Sequence, residues 1–171
     1  MSDAPRPYRP ERYEIGTARD GRRVALLPMS AQTADILGRA TVAFGPWAHY
    51  GLDGAVMSET FKNPTVSAYQ IDCDGALAGA VVIRPSWLVG PYLQMLAVLP
   101  PYQGQGIGAR ILAWYEAEAA PNVRNLWLCV SGYNVNAQRL YLAHGFERVV
   151  IIDGLLRDGD DELLMRKRLA R

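Results

Sequence analysis

The stretch from Tyr92 to Ala120, YLQMLAVLPPYQGQGIGARILAWYEAEAA, constrains this chain more than any other. Leu93 to Leu99 is an apolar run of strand length. Pro100 and Pro101 close it, and a glycine-dense loop follows from Gln103 to Gly108. Beyond the loop, Ile107, Ile111, Trp114 and Tyr115 recur at helical spacing. The pattern therefore predicts strand, glycine loop, helix. Such a junction aims unpaired backbone N–H groups and the positive end of a helix dipole at one point, which suits a phosphate. Glycines there let the backbone approach the ligand.

The remaining pattern places this unit in a mixed α/β sheet. Met1 to Arg22 is charged and carries Pro5, Pro7 and Pro10, and reads as a flexible arm ahead of one domain over residues 23–171. Arg23 to Pro28 reads as a strand, and Ser30 as the N-cap of a helix from Ala31 to about Phe44. Gly45 to Gly51 reads as an aromatic and polar loop, followed by a short helix over Asp53 to Phe61. Thr65 to Cys73 and Ala76 to Arg84 are strand-like, joined by Asp74-Gly75, a strong hairpin signal. Pro85 to Pro91 reads as a turn. Pro121-Asn122 ends the glycine-loop helix, and Leu126 to Val130 is another strand. A helix carrying Ala137, Leu140, Tyr141 and His144 on one face ends at Gly145. Phe146 to Asp153 and Glu162 to Arg168 are the last strands, with a charged loop from Gly154 to Asp161 between them. The expected order is β α α β β β α β α β β, a central mixed sheet of about six to seven strands with helices on both faces.

Composition removes several classes. With 171 residues, half of them apolar, the chain can build a core without metals or disulfides. A formal net charge of +1 gives no support for a nucleic-acid partner. Cys73 and Cys129 lie far apart in apolar runs and read as thiols in a reducing compartment. No metal-binding spacing, signal peptide or membrane-length apolar run is visible, so a cytoplasmic protein is expected.

The loop alone does not identify its ligand. Gly104, Gly106 and Ala109 fit a dinucleotide fingerprint, but the next strand ends in Ser131-Gly132 with no acidic residue for a ribose. A P-loop needs Lys-Ser/Thr after its glycines, and Gly108 is followed by Ala109. LAVLPPYQGQGIGARIL resembles motif A of the GNAT superfamily of acetyl-coenzyme A-dependent N-acyltransferases, with Gln103, Gly106 and Gly108 at its Q-x-x-G-x-G positions. Downstream, Asn134, Ala137, Leu140, Tyr141, Gly145 and Phe146 match that family's motif B. Two motifs in the right order, with a strand between them, are far more specific than either alone. The resemblance covers roughly Val66 to Val150.

The resemblance implies acetyl-coenzyme A as donor and a primary amine, on a small molecule or a protein, as acceptor. It implies pyrophosphate binding by the backbone of Gln103, Gly104, Gln105, Gly106, Ile107 and Gly108. The pantetheine arm would pair with the strand edge at Leu96, Ala97 and Val98, splayed from Leu126 to Val130, and with Asn134. Tyr141 would be the general acid toward the departing thiolate. On the acceptor side, Trp47, His49 and Tyr50 are the expected lining residues. One departure stands out: Gln94 occupies the stretch where many members carry a basic glutamate. Asp53, Glu59, His49, a water chain or an amine arriving neutral are the alternatives for the proton. A coenzyme A-binding sensor without catalysis is the competing function. A nicotinamide-dependent oxidoreductase is a more distant one. A monomer or a homodimer is expected, with no nucleic acid, membrane or metal.

Overall fold

The computed structural model describes residues 7–121 and 123–169. The strands are β1 (Tyr13–Thr17), β2 (Arg23–Pro28), β3 (Ser67–Cys73), β4 (Ala76–Trp87), β5 (Gly90–Val98), β6 (Asn125–Ser131), β7 (Glu147–Asp153) and β8 (Asp161–Arg168). The helices are α1 (Ala31–Thr41), α2 (Gly45–His49), α3 (Gly54–Lys62), α4 (Ile107–Ala119) and α5 (Val135–Ala143), with a 3-10 turn at Pro100–Tyr102. All eight strands share one sheet, in the order β1-β2-β3-β4-β5-β6-β8-β7. Every pairing is antiparallel except β5 with β6, and α4 makes the crossover that a parallel pair needs.

The sheet separates two apolar clusters. Val81 and Ile83 of β4 face α4 with Ile107, Ile111 and Tyr115, while Ala80 and Val82 face α1 and α3 with Leu37 and Phe61. This is the period-two alternation of a strand covered on both sides.

The eighth strand corrects the expected six to seven. It is β1, and it lies inside the stretch read as a flexible arm. Tyr13 pairs with Leu26 and Thr17 with Arg23. Tyr8 is 2% exposed, and its hydroxyl donates to the Tyr115 carbonyl at 2.8 Å. Its ring stacks on Tyr115 at 5.7 Å and meets Trp114 edge-on at 5.5 Å. Tyr69 donates to the Arg9 carbonyl at 2.7 Å. Aromatic packing with satisfied hydroxyls thus holds the segment against α4 and β3. Residues 1–6 of the expected arm, and Asn122 of the expected break, lie outside the described residues.

Two turns also differ from expectation. Gly45–His49 is a short helix, with Pro46 in its first turn where a missing N–H costs no bond. Pro85 and Pro91 lie inside strands that run to Trp87 and start at Gly90. Pro85 falls where the β4–β5 register slips between Arg84 and Trp87, a place that tolerates proline.

One irregularity positions the site. Val82 pairs with Met95 and Ile83 with Leu93, so Gln94 is an extra residue in β5. The bulge reverses the alternation: Leu93 faces α4 before it, and Leu96 and Val98 face that side after it. Pairing between β5 and β6 consists of Tyr92 with Trp127 and Leu93 with Leu128. Beyond Leu93 the two strands part, which leaves an open edge on β5 from the bulge to Val98.

Candidate active site

A trench runs through this opening. Its first part is a cavity of about 570 Å³ between β5, the glycine loop and α5. Its second part, about 350 Å³, lies between β5, β6, α2 and the β7–β8 loop. Both volumes fall in the usual range for small-molecule sites. The two parts share Pro46, Trp47, Leu96, Asn134, Ala137 and Tyr141 as walls.

One end of the first cavity gathers features that suit an anion. Gly104 and Gly106 take φ of +74° and +76°, the left-handed region that glycine enters at no steric cost. Gly106 is the N-cap of α4, with no side-chain cap behind it. The N–H groups from Gly104 to Ala109 donate to no described backbone or side-chain group. Six backbone donors around a helix N-terminus are thus without a described partner, and all but that of Gln105 belong to residues lining the cavity. Gly108 lies close to α5, and a Cβ there would stand 3.0 Å from Leu140 Cδ2. Among the described residues, Arg19 is the only charged side chain lining this cavity. Its N–H donates to the Gln105 carbonyl at 3.0 Å, and Nη1 donates to the Gly104 carbonyl at 3.2 Å. Sequence reasoning missed Arg19 because it sits in the supposed arm, with no spacing to mark it.

These features fit coenzyme A. Free N–H groups and a cation suit its pyrophosphate, and the unpaired β5 edge suits the amides of its pantetheine arm. Gly106→Val is expected to weaken acetyl-coenzyme A binding about tenfold or more, since a β-branched residue at this φ costs about 1–3 kcal/mol and turns the donors away. Calorimetry on the variant checks it, and an unchanged affinity would refute the cradle.

The other expected residues divide. Leu96, Val98, Gln103, Gly104, Gly106, Ile107, Gly108 and Asn134 all line the first cavity. Gln103 also braces the loop, its Nε2 donating to the Val98 carbonyl at 2.9 Å. Ala97 is fully buried in the opposite cluster with Met95 and lines neither cavity. Gln105 does not line the cavity, and its carbonyl holds Arg19. Asn134 is the N-cap of α5, with Oδ1 accepting from the Ala137 N–H at 3.2 Å. Tyr141 is 8% exposed and packs edge-on against Phe146 at 6.2 Å. Its hydroxyl bonds to no described residue, and burial pushes its pKa up to about 12. The phenol therefore stays protonated at neutral pH.

On the acceptor side, Trp47 lines both cavities and Tyr50 lines the second, but His49 lines neither. His49 Nε2 pairs with Asp160 Oδ2 at 3.0 Å, and Arg157 Nε reaches the same oxygen at 2.8 Å. That cluster ties α2 to the β7–β8 loop from outside. Asp53 is occupied as the N-cap of α3, and Glu59 pairs with Lys62 at 3.3 Å; neither lines the trench. Gln94 does line it, with Oε1 accepting from Arg84 Nη2 at 3.2 Å. Glu162 and Ser131, missed from the sequence, form a hydrogen-bonded pair at 2.6 Å on the wall of the second cavity. Glu162 reads as an ordinary strand start until β8 is paired with β6.

Comparison with known proteins agrees with this geometry. The family model for the acetyltransferase (GNAT) family matches residues 32–146, well over half the chain. The fold is similar to an acetyltransferase from Thermus thermophilus, with TM-score 0.70 and 20% identity over 92% of this chain and 100% of that one. It is also similar to the ribosomal-protein-S18-alanine N-acetyltransferase from Escherichia coli, with TM-score 0.66 and 19% identity over 86% and 95% of the two chains. A GNAT family acetyltransferase from Elizabethkingia anophelis with acetyl-CoA bound gives TM-score 0.67 and 18% identity over 85% and 98%. No curated protein sequence matches. With both motifs on the walls of one trench and the family model spanning them, the chain belongs to the acetyltransferase (GNAT) family, acyltransferases whose donor is acetyl-coenzyme A.

Proposed function

We propose that the protein moves the acetyl group of acetyl-coenzyme A directly to a primary amine, with donor and acceptor bound together. The observation that carries this reading is the junction of the two cavities at Leu96, Asn134 and Tyr141. When bound, acetyl-coenzyme A supplies an activated thioester. The N–H groups of Gly104 to Ala109 and Arg19 hold its pyrophosphate at one end. The open edge of β5 aligns its arm and offers N–H groups to the thioester oxygen as charge develops there. Tyr141 donates to the departing sulfur. Cys129 lines the second cavity, but burial pushes its thiol pKa up, so it is a poor nucleophile at neutral pH. That favours direct transfer over a covalent enzyme intermediate.

The catalytic unit in this reading is residues 23–171, extended by β1 and Tyr8. We place the protein in a cytoplasm, where Cys73 and Cys129 remain free thiols. No helix among the described residues is long and apolar enough to cross a membrane.

Thiol release from acetyl-coenzyme A, measured across a panel of primary amines, tests the reading. Amine-dependent release is expected. Coenzyme A binding without release on any amine would favour the catalytically silent sensor instead.

A further inference from the structure

The second cavity contains a carboxylate that the transfer reading has not used. Glu162 sits in β8 opposite Ser131 of β6 and is 4% exposed. Ser131 Oγ donates to its Oε1 at 2.6 Å, and the Tyr50 hydroxyl donates to the same oxygen at 2.8 Å. Oε2 receives no hydrogen bond from a described residue, and it is not among the fully buried unpaired atoms. It therefore reaches accessible space. Glu162 forms no ion pair with a described residue. A largely buried carboxylate with no cation beside it is suited to receive one.

The surroundings define that partner. Among the described residues, Glu162 is the only charged side chain lining the second cavity. Tyr92 of β5 and Cys129 of β6 face it without charge, Ile152 of β7 pairs beside it, and Arg157 stands off over the Tyr50 ring at 5.9 Å. Trp47, Leu52, Met57, Leu155 and Leu156 make the rest of the lining largely apolar.

We propose that Glu162 receives the acceptor's ammonium at Oε2 and takes its proton, and that the acceptor is a small primary monoamine on an apolar body. This rests on the amine-transfer reading above. One negative charge matches one positive charge. Among the described residues lining the cavity, the carboxylate of an amino acid would find no cation, and the second ammonium of a diamine would find no second carboxylate. In the transfer, one ammonium proton passes to Glu162, which returns it to solvent. The freed nitrogen lone pair forms the C–N bond as the C–S bond breaks, and the second proton leaves with the sulfur as a thiol. Glu162 thus does from β8 what Gln94 cannot do from β5.

The test uses 2-phenylethylamine, putrescine and phenylalanine as probes. Binding is measured by calorimetry on the coenzyme A-saturated protein, and turnover by thiol release. Wild type should prefer 2-phenylethylamine in both. Glu162→Gln should retain coenzyme A affinity and lose 2-phenylethylamine affinity by about 30-fold or more. Its kcat/KM should fall about 100-fold, with a pH profile rising about tenfold per pH unit as only free amine reacts. Wild-type binding and pH profile in Glu162→Gln would overturn the role of Glu162. Preference for putrescine or phenylalanine would overturn the acceptor class while leaving amine transfer intact. No release from any amine by wild type would overturn both readings. Should Glu162→Gln fail to fold, Leu156→Glu carries the test from a rim position that is 58% exposed. It should shift the kcat/KM ratio toward putrescine by about tenfold, and an unchanged ratio would overturn the proposal.

Discussion

Tyr141→Phe is expected to lower kcat about 100-fold while acetyl-coenzyme A affinity stays near the wild-type value. The substitution removes one oxygen and little else. The ring still packs against Phe146, and no described residue loses a hydrogen bond, because the Tyr141 hydroxyl has no partner among the described residues. Tyr115 makes the contrast: its hydroxyl donates to the Pro91 and Trp127 carbonyls at 2.8 and 3.2 Å, so Tyr115→Phe would leave two buried acceptors short. The Tyr141 pKa of about 12 also says how the phenol works. Complete transfer of its proton to a thiolate of ordinary pKa, about 8.5, would be roughly 5 kcal/mol uphill. Tyr141 therefore stabilises the sulfur by donating a hydrogen bond as the C–S bond breaks. Because its pKa is raised, the phenol is intact through the neutral and mildly alkaline range, and kcat should show no loss from Tyr141 ionisation there. Steady-state thiol release together with calorimetry separates the effects. An unchanged kcat would remove Tyr141 from the chemistry.

What the sequence disclosed about this site follows the range of the interactions involved. The Asp74-Gly75 turn is readable because its chemistry is local: both residues take positive φ, at 51° and 85°, and Cys73 then pairs with Ala76. The glycine loop is readable for the same reason. The conformation it needs is written in residue types at fixed spacing, and motif B repeats the logic around Asn134 and Tyr141. By contrast, β1 is five residues long and follows three prolines. Its stability comes from Tyr8 and Tyr13 meeting Tyr69 and Trp114, partners more than fifty positions away. Arg19 reaches the loop by the same long-range route. Glu162 becomes recognisable only when β6 and β8 pair and bring Ser131 and Tyr50 to its carboxylate. The reason the slot opens at Leu93 is equally hidden. Gln94 is the bulge, and although it is the one polar residue in the run, a polar side chain alone does not mark a register slip.

Alkaline unfolding is expected to be steep and to begin close to pH 10. Tyr8, Tyr69, Tyr115 and Tyr141 are all at most 8% exposed, and in each the main cause of the raised pKa is loss of solvation. In the unfolded chain these phenols titrate near 10. Below that pH both states hold their protons, and the phenols do not affect the balance. Above it the unfolded state releases protons that the folded state retains, so stability falls as pH rises toward the folded-state pKa values. Each retained phenol contributes about 1.4 kcal/mol per pH unit, and the four together roughly 5 kcal/mol per pH unit. Total stability of a domain this size is about 5–15 kcal/mol, so one to three pH units exhaust it. Tyr13, half-buried with its pKa raised to about 12, acts in the same direction. The measurement is phenolate absorbance and far-ultraviolet circular dichroism on one sample from pH 8 upward. Phenolate from the buried rings should appear together with the loss of dichroism in one cooperative step, after any signal from exposed rings such as Tyr133. Ionisation of all nine tyrosines with the dichroism intact would contradict the burial of these rings. Tyr8→Phe supplies the internal control. It loses the hydrogen bond to the Tyr115 carbonyl and about 1 kcal/mol at neutral pH. It also removes one of the four retained protons, so its stability should fall more slowly with pH. The variant and wild-type curves should converge about one pH unit above pH 10. That convergence is peculiar to a buried ionisable hydroxyl, because the loss of packing alone would displace the curve by the same amount at every pH.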